Sequence, residues 1–174
     1  MLVNLTEVFT AEEKVVQVTV PLEMAEFRSK SGTFQIIEKS PVQLTMSNLG
    51  VGKALVEGME EITLRMECDR CLEPVPVTLK LAFSREVTSQ DTADSTQLEE
   101  NENILEGGQL NIETLINNEI LMNLPDKVLC RPDCKGICKQ CGQNLNEGEC
   151  GCDDFVPDPR MAAIKDIFNA KREV

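Results

Sequence analysis

The sequence contains no histidine, no tryptophan and no tyrosine, and its aromatic residues are six phenylalanines. Histidine is the commonest general base, so its absence excludes Ser-His and Cys-His catalysis within this chain. Histidine is also the commonest nitrogen ligand of zinc, so any zinc site here must consist of thiolates, with at most a carboxylate added. Because aromatics are scarce, the core must be built from Val, Ile, Leu and Met.

Long apolar runs are missing as well. No stretch approaches the run of about 20 apolar residues that spans a bilayer, and residues 1–14 lack the basic and apolar regions of a secretory signal. We therefore expect a cytoplasmic protein with no membrane partner. Cytoplasmic thiols stay reduced, so the eight cysteines of the chain favour metal binding over a disulfide framework.

The chain has fewer basic than acidic residues, and its formal net charge is −13. Residues 88–107 alone contain six acidic residues and no basic one. We interpret this segment as a mobile acidic loop, because it has too few large apolar side chains to offset the entropy lost on ordering. The acidic balance disfavours broad, non-specific binding to a phosphate backbone and suits a basic protein partner better.

Apolar residues alternate with polar ones over much of residues 1–87, and the stretch 15–20 is rich in β-branched valine. The alternating positions are Val42, Leu44, Met46, Ile62, Leu64, Met66, Val75, Val77, Leu79, Leu81 and Phe83. A period of two is typical of half-buried antiparallel strands. The N-terminal half is therefore predicted to form an antiparallel sheet or a small barrel.

Residues 108–174 show helical signals on both sides of a cysteine-rich segment. Asn111 is positioned to cap a helix that ends before Pro125, and Asp158 precedes a second helix over 159–172. The predicted fold class is therefore α+β, with a β-rich region over 1–87, the acidic loop, and two helices around a metal-binding segment. At 174 residues, these parts are expected to form one composite domain.

The cysteines occur in close pairs. The ligands that we predict are Cys68, Cys71, Cys130, Cys134, Cys138, Cys141, Cys150 and Cys152. Two thiolates separated by two residues can reach one ion where the backbone turns tightly, and Gly142 lets the chain fold beneath the preceding sulfur. We assign one zinc ion to the last four cysteines and a second ion to the first four.

Other interpretations of the cysteines stay open at this point. Spacing alone also allows a site built from the four cysteines between 130 and 141, and four thiolates also suit an iron–sulfur cluster. A redox dithiol at Cys68 and Cys71 is a weaker alternative, because no thioredoxin-like strand–motif–helix order follows. A closed four-thiolate zinc site has no position for water or substrate, so the expected role is structural and the protein is expected not to be an enzyme.

Basic residues recur every fourth position between the cysteines. They are Lys127, Arg131, Lys135 and Lys139. Cations there compensate the charge of two zinc–thiolate sites. Displayed on a rigid, metal-bound loop, they are equally suited to contact RNA phosphates.

These residues resemble those of the YceD family of large ribosomal RNA subunit accumulation proteins. The resemblance rests on C-D-R-C-L at 68–72, on L-P-D-K-V-L-C-R-P-D-C-K-G-I-C-K-Q-C-G-Q-N-L-N at 124–146, on C-G-C at 150–152 and on D-P-R-M at 158–161. It implies a role in accumulating or processing the large-subunit ribosomal RNA or its precursor. It also leaves room for a second role, in which the acidic chain holds a basic ribosomal protein of the large subunit.

Overall fold

The computed structural model describes residues 1–30, 32–89 and 104–152. Within these ranges the strands are β1 Leu2–Asn4, β2 Val15–Val20, β3 Glu26–Ser29, β4 Gly32–Lys39, β5 Val42–Gly50, β6 Lys53–Glu67, β7 Pro74–Thr88, β8 Leu105–Glu106 and β9 Gln109–Asn111. The helices are α1 Thr6–Thr10 and α2 Ile112–Asn123. All strand pairings are antiparallel, which confirms the mainly antiparallel character predicted from the alternating sequence.

Two strands of 15 residues each, β6 and β7, form the centre of the larger sheet. They pair residue by residue, from Lys53 with Thr88 to Glu67 with Pro74. At about 3.4 Å per residue, each strand is about 50 Å long. The loop 68–73 closes this hairpin, so Cys68 and Cys71 lie at its tip.

The opposite edge of β6 is shared by two strands that follow each other in the chain. β5 pairs with residues 53–59 of β6, and β4 pairs with residues 62–65. Ser40 bridges the gap, because its backbone N–H donates to Glu61 O at 2.9 Å and its hydroxyl accepts from Glu61 N at 2.9 Å. Pro41, which has no N–H to give to a ladder, lies directly before β5.

The larger sheet is open in the part of the chain that the structure describes. β2 pairs with β5, β3 pairs with β4, and neither edge strand meets β7. The small barrel, considered from the sequence as the other arrangement of these strands, is therefore not confirmed. A second sheet consists of three short strands in the order β1-β9-β8, and its residues Leu105 and Leu110 belong to the main hydrophobic core.

One face of the larger sheet carries the core. The even-numbered residues of β6 from Ala54 onward and the odd-numbered residues of β7 from Leu79 to Val87 are mostly buried there. Helix α2 packs on this face and is capped as predicted, since the Asn111 side chain accepts from Thr114 N at 3.2 Å. Its buried apolar residues are Ile112, Leu115, Ile116 and Ile120. Neither helix in the described ranges has the length and apolarity needed to cross a bilayer.

Two expectations fall on parts of the chain outside these ranges. The predicted helix over 159–172 lies there entirely, and so do residues 90–103 of the predicted acidic loop. Both stay predictions. The two ends of the loop belong to strands, because Thr88 closes β7 and Leu105 begins β8, and both residues are buried.

A buried carboxylic acid interrupts the apolar face of β6. Glu60 is 5% exposed, and neither of its carboxyl oxygens has a hydrogen-bond partner. Burial raises the pKa of Glu60 from about 4.5 to about 7, and the positive charge of Lys39 offsets only part of this effect. An unpartnered buried carboxyl favours its neutral form.

Glu60 should make the stability of the protein fall as the pH rises. Between its unfolded pKa near 4.5 and its folded pKa near 7, the native state holds a proton that the unfolded state has released, so folding is favoured at the acid end. Glu60→Gln cannot ionise. As the pH rises from 5 to 8, the free energy of unfolding of the variant should increase relative to that of the wild type by at most about 3 kcal/mol. Denaturant unfolding at pH 5, 6, 7 and 8 measures this difference. A difference that is constant with pH would contradict a raised pKa.

Candidate metal centre

The loop that closes the β6–β7 hairpin is a tight turn around Cys68. Two backbone hydrogen bonds define it: Cys68 N donates to Glu73 O at 2.8 Å, and Leu72 N donates to Cys68 O at 2.9 Å. Leu72 takes the left-handed backbone conformation, with φ of 61°, which costs a residue with a side chain about 1–2 kcal/mol. The turn thereby presents Cys68 and Cys71 on the same side of the chain.

A second turn repeats this geometry 70 residues later in the sequence. Cys138 N donates to Gln143 O at 2.8 Å, and Gly142 N donates to Cys138 O at 2.9 Å. Gly142 has φ of 75° and occupies the position that Leu72 has in the first turn. Glycine adopts this conformation without strain, so the second turn is the unstrained version of the first.

The eight thiols gather into two groups in the part of the chain that the structure describes. The first thiol cluster comprises Cys68, Cys71, Cys130 and Cys134, and the second comprises Cys138, Cys141, Cys150 and Cys152. Within each cluster the sulfur atoms all lie within 4.8 Å of one another. These are the two sets assigned from the spacing, and the set of four cysteines between 130 and 141 is not brought together.

The spacing of the sulfurs suits a tetrahedral metal ion. Cys68 Sγ lies 3.8 Å from Cys134 Sγ, and Cys71 Sγ lies 3.5 Å from Cys130 Sγ. Four sulfurs at about 2.3 Å from a central zinc are about 3.8 Å apart. A disulfide would require about 2.05 Å. Each cluster could therefore hold one ion.

Hydrogen bonds from backbone and side-chain groups hold the hairpin tip against the segment that carries Cys130 and Cys134. Asp69 forms two of them, donating its N–H to Val128 O at 2.9 Å and accepting from Val128 N through its carboxylate at 2.6 Å. Arg70 donates from its guanidinium to Cys134 O at 2.7 Å, and its carbonyl accepts from Ile137 N at 3.1 Å. The first cluster thus joins two parts of the chain that are about 60 residues apart.

The two clusters differ in exposure. Cys68, Cys71 and Cys134 are buried, and the apolar side chains of Val75 and Leu129 pack around them. In the second cluster Cys138 is buried, Cys141 is exposed, and the C-terminal pair is half-buried. The second cluster is therefore the more accessible to solvent.

Hydrogen bonds prepare selected thiols of the first cluster for ionisation. Burial opposes the ionisation of Cys68, but backbone N–H groups outweigh it and lower the pKa of this thiol to about 6. The Asn146 side-chain amide, which donates to Cys134 Sγ at 3.2 Å, lowers the pKa of Cys134. Burial of its sulfur and the neighbouring thiols raise the pKa of Cys130 to about 12. A metal cation would offset the repulsion that keeps such neighbours from ionising together.

The second cluster follows the same plan. The backbone N–H groups of Cys141 and Gln140 lower the pKa of Cys138 to about 6, and the Gln140 N to Cys138 Sγ distance is 3.4 Å. The adjacent thiols of Cys141 and Cys150 raise the pKa of Cys152 to about 12. N–H groups aimed at sulfur stabilise thiolate charge, which is the usual second layer of a metal–thiolate site.

The cations between the cysteines all lie on the surface. Lys127, Arg131, Lys135 and Lys139 are exposed, and Arg131 Nε lies 3.8 Å from Asp133 Oδ1. Among the described residues, the three lysine side chains of this group form no ion pair. The three lysines are therefore available to an anionic ligand, whereas the charge of Arg131 is partly balanced by Asp133.

Sequence reasoning did not single out Arg70, Asp69 or Asn146 as parts of this site. The first two stand inside the C-x-x-C motif, so their proximity to the cysteines was the available signal. Asn146 gives no such signal, since it is 12 residues from the thiol that it contacts.

Both clusters lie inside a stretch that matches a known protein family. Residues 56–168 match the model described as "Large ribosomal RNA subunit accumulation protein YceD". The chain belongs to the YceD family. This confirms the resemblance drawn from the cysteine motifs, and the family's description names the accumulation of an RNA rather than an enzymatic reaction.

Curated relatives of this YceD protein occur in mycobacteria. Uncharacterized proteins of Mycobacterium bovis and of two Mycobacterium tuberculosis strains are each 32% identical to it over 108 residues. The match covers 62% of this chain and 52% of each relative, so the chain spans about half the length of the curated relatives it matches. No solved structure matches the chain.

Proposed function

We propose that this YceD protein supports the accumulation or processing of large-subunit ribosomal RNA without catalysing a reaction, and that two structural zinc ions hold its C-terminal half in shape. The observation that carries the proposal is the family match over residues 56–168, which includes all eight cysteines. The geometry of the clusters supports the second part. The proposed cellular location is the cytoplasm.

Zinc is the metal that we propose for both clusters. Four-thiolate, tetrahedral sites with C-x-x-C turns are the common structural zinc arrangement. Zinc has no redox chemistry of its own and needs no open coordination position to stabilise a fold. Iron bound in the same clusters would absorb visible light, so an absorption spectrum distinguishes it from zinc.

The chemistry of the clusters supports a structural role. Four thiolates fill the coordination sphere of a tetrahedral ion, which leaves no site where water or substrate could be activated. The first cluster lies where the hairpin tip meets the C-terminal segment. An ion there would fasten these two parts together, which is what a structural metal does.

The surface cations at 127, 131, 135 and 139 are the proposed RNA contacts. They project from a segment that the two clusters hold in place, so a metal-bound protein would present them in a fixed pattern. Phosphate contacts position a protein on RNA without reading its sequence. Such a patch suits a factor that acts within an assembling ribosomal particle, with the acidic remainder facing solvent.

A second candidate function is favoured by the charge of the whole chain. A net charge of −13 would attract a basic ribosomal protein, and exposed glutamates line the larger sheet at Glu38, Glu57, Glu61 and Glu67. In this alternative the protein holds a basic large-subunit ribosomal protein before its assembly. Accumulation of the RNA would then be an indirect result.

One purification tests the proposed function. The protein, tagged and recovered from its own cells at native salt, should contain about two zinc ions by elemental analysis and should carry large-subunit ribosomal RNA or its precursor. A mock purification from untagged cells is the control. Zinc-free protein, or protein with iron absorbance, would contradict the metal assignment. Recovery of a ribosomal protein without RNA would favour the second candidate.

A further inference from the structure

The loop that follows the second C-x-x-C turn folds back onto the first thiol cluster. Ile137 and Asn144 form an isolated antiparallel bridge, and Leu145 N donates to Gly136 O at 2.8 Å. Asn144 also reaches the hairpin tip, where its side-chain amide donates to Glu73 Oε1 at 3.1 Å. Residues 144–146 therefore contact both the segment between the clusters and the hairpin.

Asn146 is the residue of this loop that touches a sulfur of the other cluster. Its Nδ2 donates to Cys134 Sγ at 3.2 Å and to Asn144 Oδ1 at 2.9 Å, while its Oδ1 accepts from Lys135 N at 2.8 Å. Both N–H bonds of the amide are used. Because Lys135 N can only donate, the amide oxygen must face it, and the amide nitrogen is thereby aimed at the sulfur.

The position of Asn146 in the chain links it to the second cluster. It lies between Cys141 and Cys150, so the loop that carries it is closed at both ends by ligands of the second cluster. An ion bound there would shorten the free loop and restrict it to few conformations. Without that ion, the loop would lose conformational entropy when Asn146 contacts Cys134, and this cost would lower the affinity of the first cluster for its metal ion.

We infer that Asn146 couples the two thiol clusters, so that a metal ion in the second cluster raises the affinity of the first cluster for its own ion. The inference rests on the proposed structural-metal function and adds a coupling between the two sites. Asn146 is a positioning residue, since its amide stabilises the Cys134 thiolate and does not bind the ion. By thermodynamic linkage, an ion in the first cluster raises the affinity of the second by the same factor.

Zinc titration of the metal-free, reduced chain of residues 1–174 tests this coupling. Native mass spectrometry counts the molecules that hold no ion, one ion or two ions at each zinc concentration. The wild type should pass from no ion to two ions with little one-ion protein. Asn146→Asp keeps the acceptor for Lys135 N but replaces the donor with a charged oxygen, and Asn146→Ala removes the amide without adding charge. Both variants should accumulate the one-ion form, with the weaker site losing about 10–100-fold in affinity.

Gln143→Glu is the matched control. It makes the same amide-to-carboxylate change three residues away, at an exposed side chain in the same loop, and should titrate like the wild type. Amide exchange in β6 and β7 verifies that each variant retains its sheet. As an independent route, the double variant C150S/C152S should lower the affinity of the first cluster by about as much as Asn146→Ala does.

The outcomes separate the coupling from the function on which it rests. A wild type that binds two zinc ions independently, with one-ion protein accumulating, would overturn the coupling alone. The same holds if Asn146→Ala titrates like the wild type, or if C150S/C152S leaves the first cluster's affinity unchanged. A wild type that binds no zinc would overturn the structural-metal function itself.

Discussion

Replacing Cys68 by serine should release residues 128–137 from the β6–β7 hairpin while the larger sheet stays folded. Cys68 is fully buried, and its sulfur lies 3.8 Å from Cys134 Sγ. The binding free energy of a structural zinc ion is folding free energy, on the order of 10 kcal/mol or more, and loss of one of four ligands removes much of it. Hydrogen–deuterium exchange should show the protection of residues 128–137 falling by several orders of magnitude.

The sheet should survive this change because it has a core of its own. The buried residues of the main core form one contiguous cluster, and Cys68, Cys71 and Cys134 form a separate small one. Protection in the parts of β5, β6 and β7 far from the hairpin tip should therefore stay close to that of the wild type. Collapse of the whole sheet in Cys68→Ser would show that the two cores fold as one unit.

Cys141→Ser is the matched variant in the second cluster. Its thiol belongs to an exposed residue, so the substitution should loosen residues 138–152 and weaken the hairpin contact without abolishing it. Treating the wild type with a zinc chelator should reproduce both losses together. If chelation leaves the exchange pattern unchanged throughout the chain, the metal does not hold the fold.

The strands that could be predicted are those whose alternation is regular. β2 was predicted at its observed bounds, and the alternating positions of β5, β6 and β7 all lie on strands. β4 was missed because its pairing with β6 shifts register between Ile36 and Glu38, which places Ile37 on the surface and breaks the period of two. Helix α1 has five residues, too few to show a helical period.

Charged residues in the core were beyond prediction for a different reason. Glu119 is 4% exposed and accepts from Arg85 Nε at 2.9 Å, which ties α2 to β7. Its burial depends on a partner 34 residues away in the sequence, and no local pattern reports that distance. Glu60 has no hydrogen-bond partner and escaped prediction for another reason. Its even-numbered position on β6 indicates the core face, whereas its residue type indicates the surface.

The grouping of the cysteines could be predicted from the sequence, whereas the residues that support each group could not; that the cysteines are metal ligands stays a prediction. Pairwise spacing and the flanking Gly142 were enough to divide eight cysteines into the two sets that the structure brings together. The positive φ of Leu72 could not be predicted from the sequence, because glycine is the usual residue where φ is positive. The two turns have the same geometry, and this follows from the backbone conformations of Leu72 and Gly142 rather than from their residue types.

Changing the four surface cations Lys127, Arg131, Lys135 and Lys139 to glutamine should strongly weaken the binding of large-subunit ribosomal RNA. Each neutralised phosphate releases bound counterions, so the slope of log affinity against log salt should fall by about 0.7–0.9 for every phosphate that the variant no longer neutralises. Zinc content should not change, because none of the four is a ligand. Filter binding or fluorescence anisotropy at several salt concentrations measures both the affinity and the slope.

A charge-matched variant separates RNA contact from protein holding. Changing the exposed Glu38, Glu57, Glu61 and Glu67 to glutamine removes four charges of the opposite sign from the larger sheet; Glu67 is the one that lies next to a cysteine. If the protein contacts RNA, this variant should bind RNA at least as tightly as the wild type, since it removes repulsion from phosphates. If the protein holds a basic ribosomal protein, this variant should instead lose that partner, while the lysine and arginine variant should keep it. If the wild type binds no ribosomal RNA at low salt but binds a ribosomal protein tightly, the second candidate function is the correct one. The cations at 127–139 would then serve only to balance the charge of the two thiolate clusters.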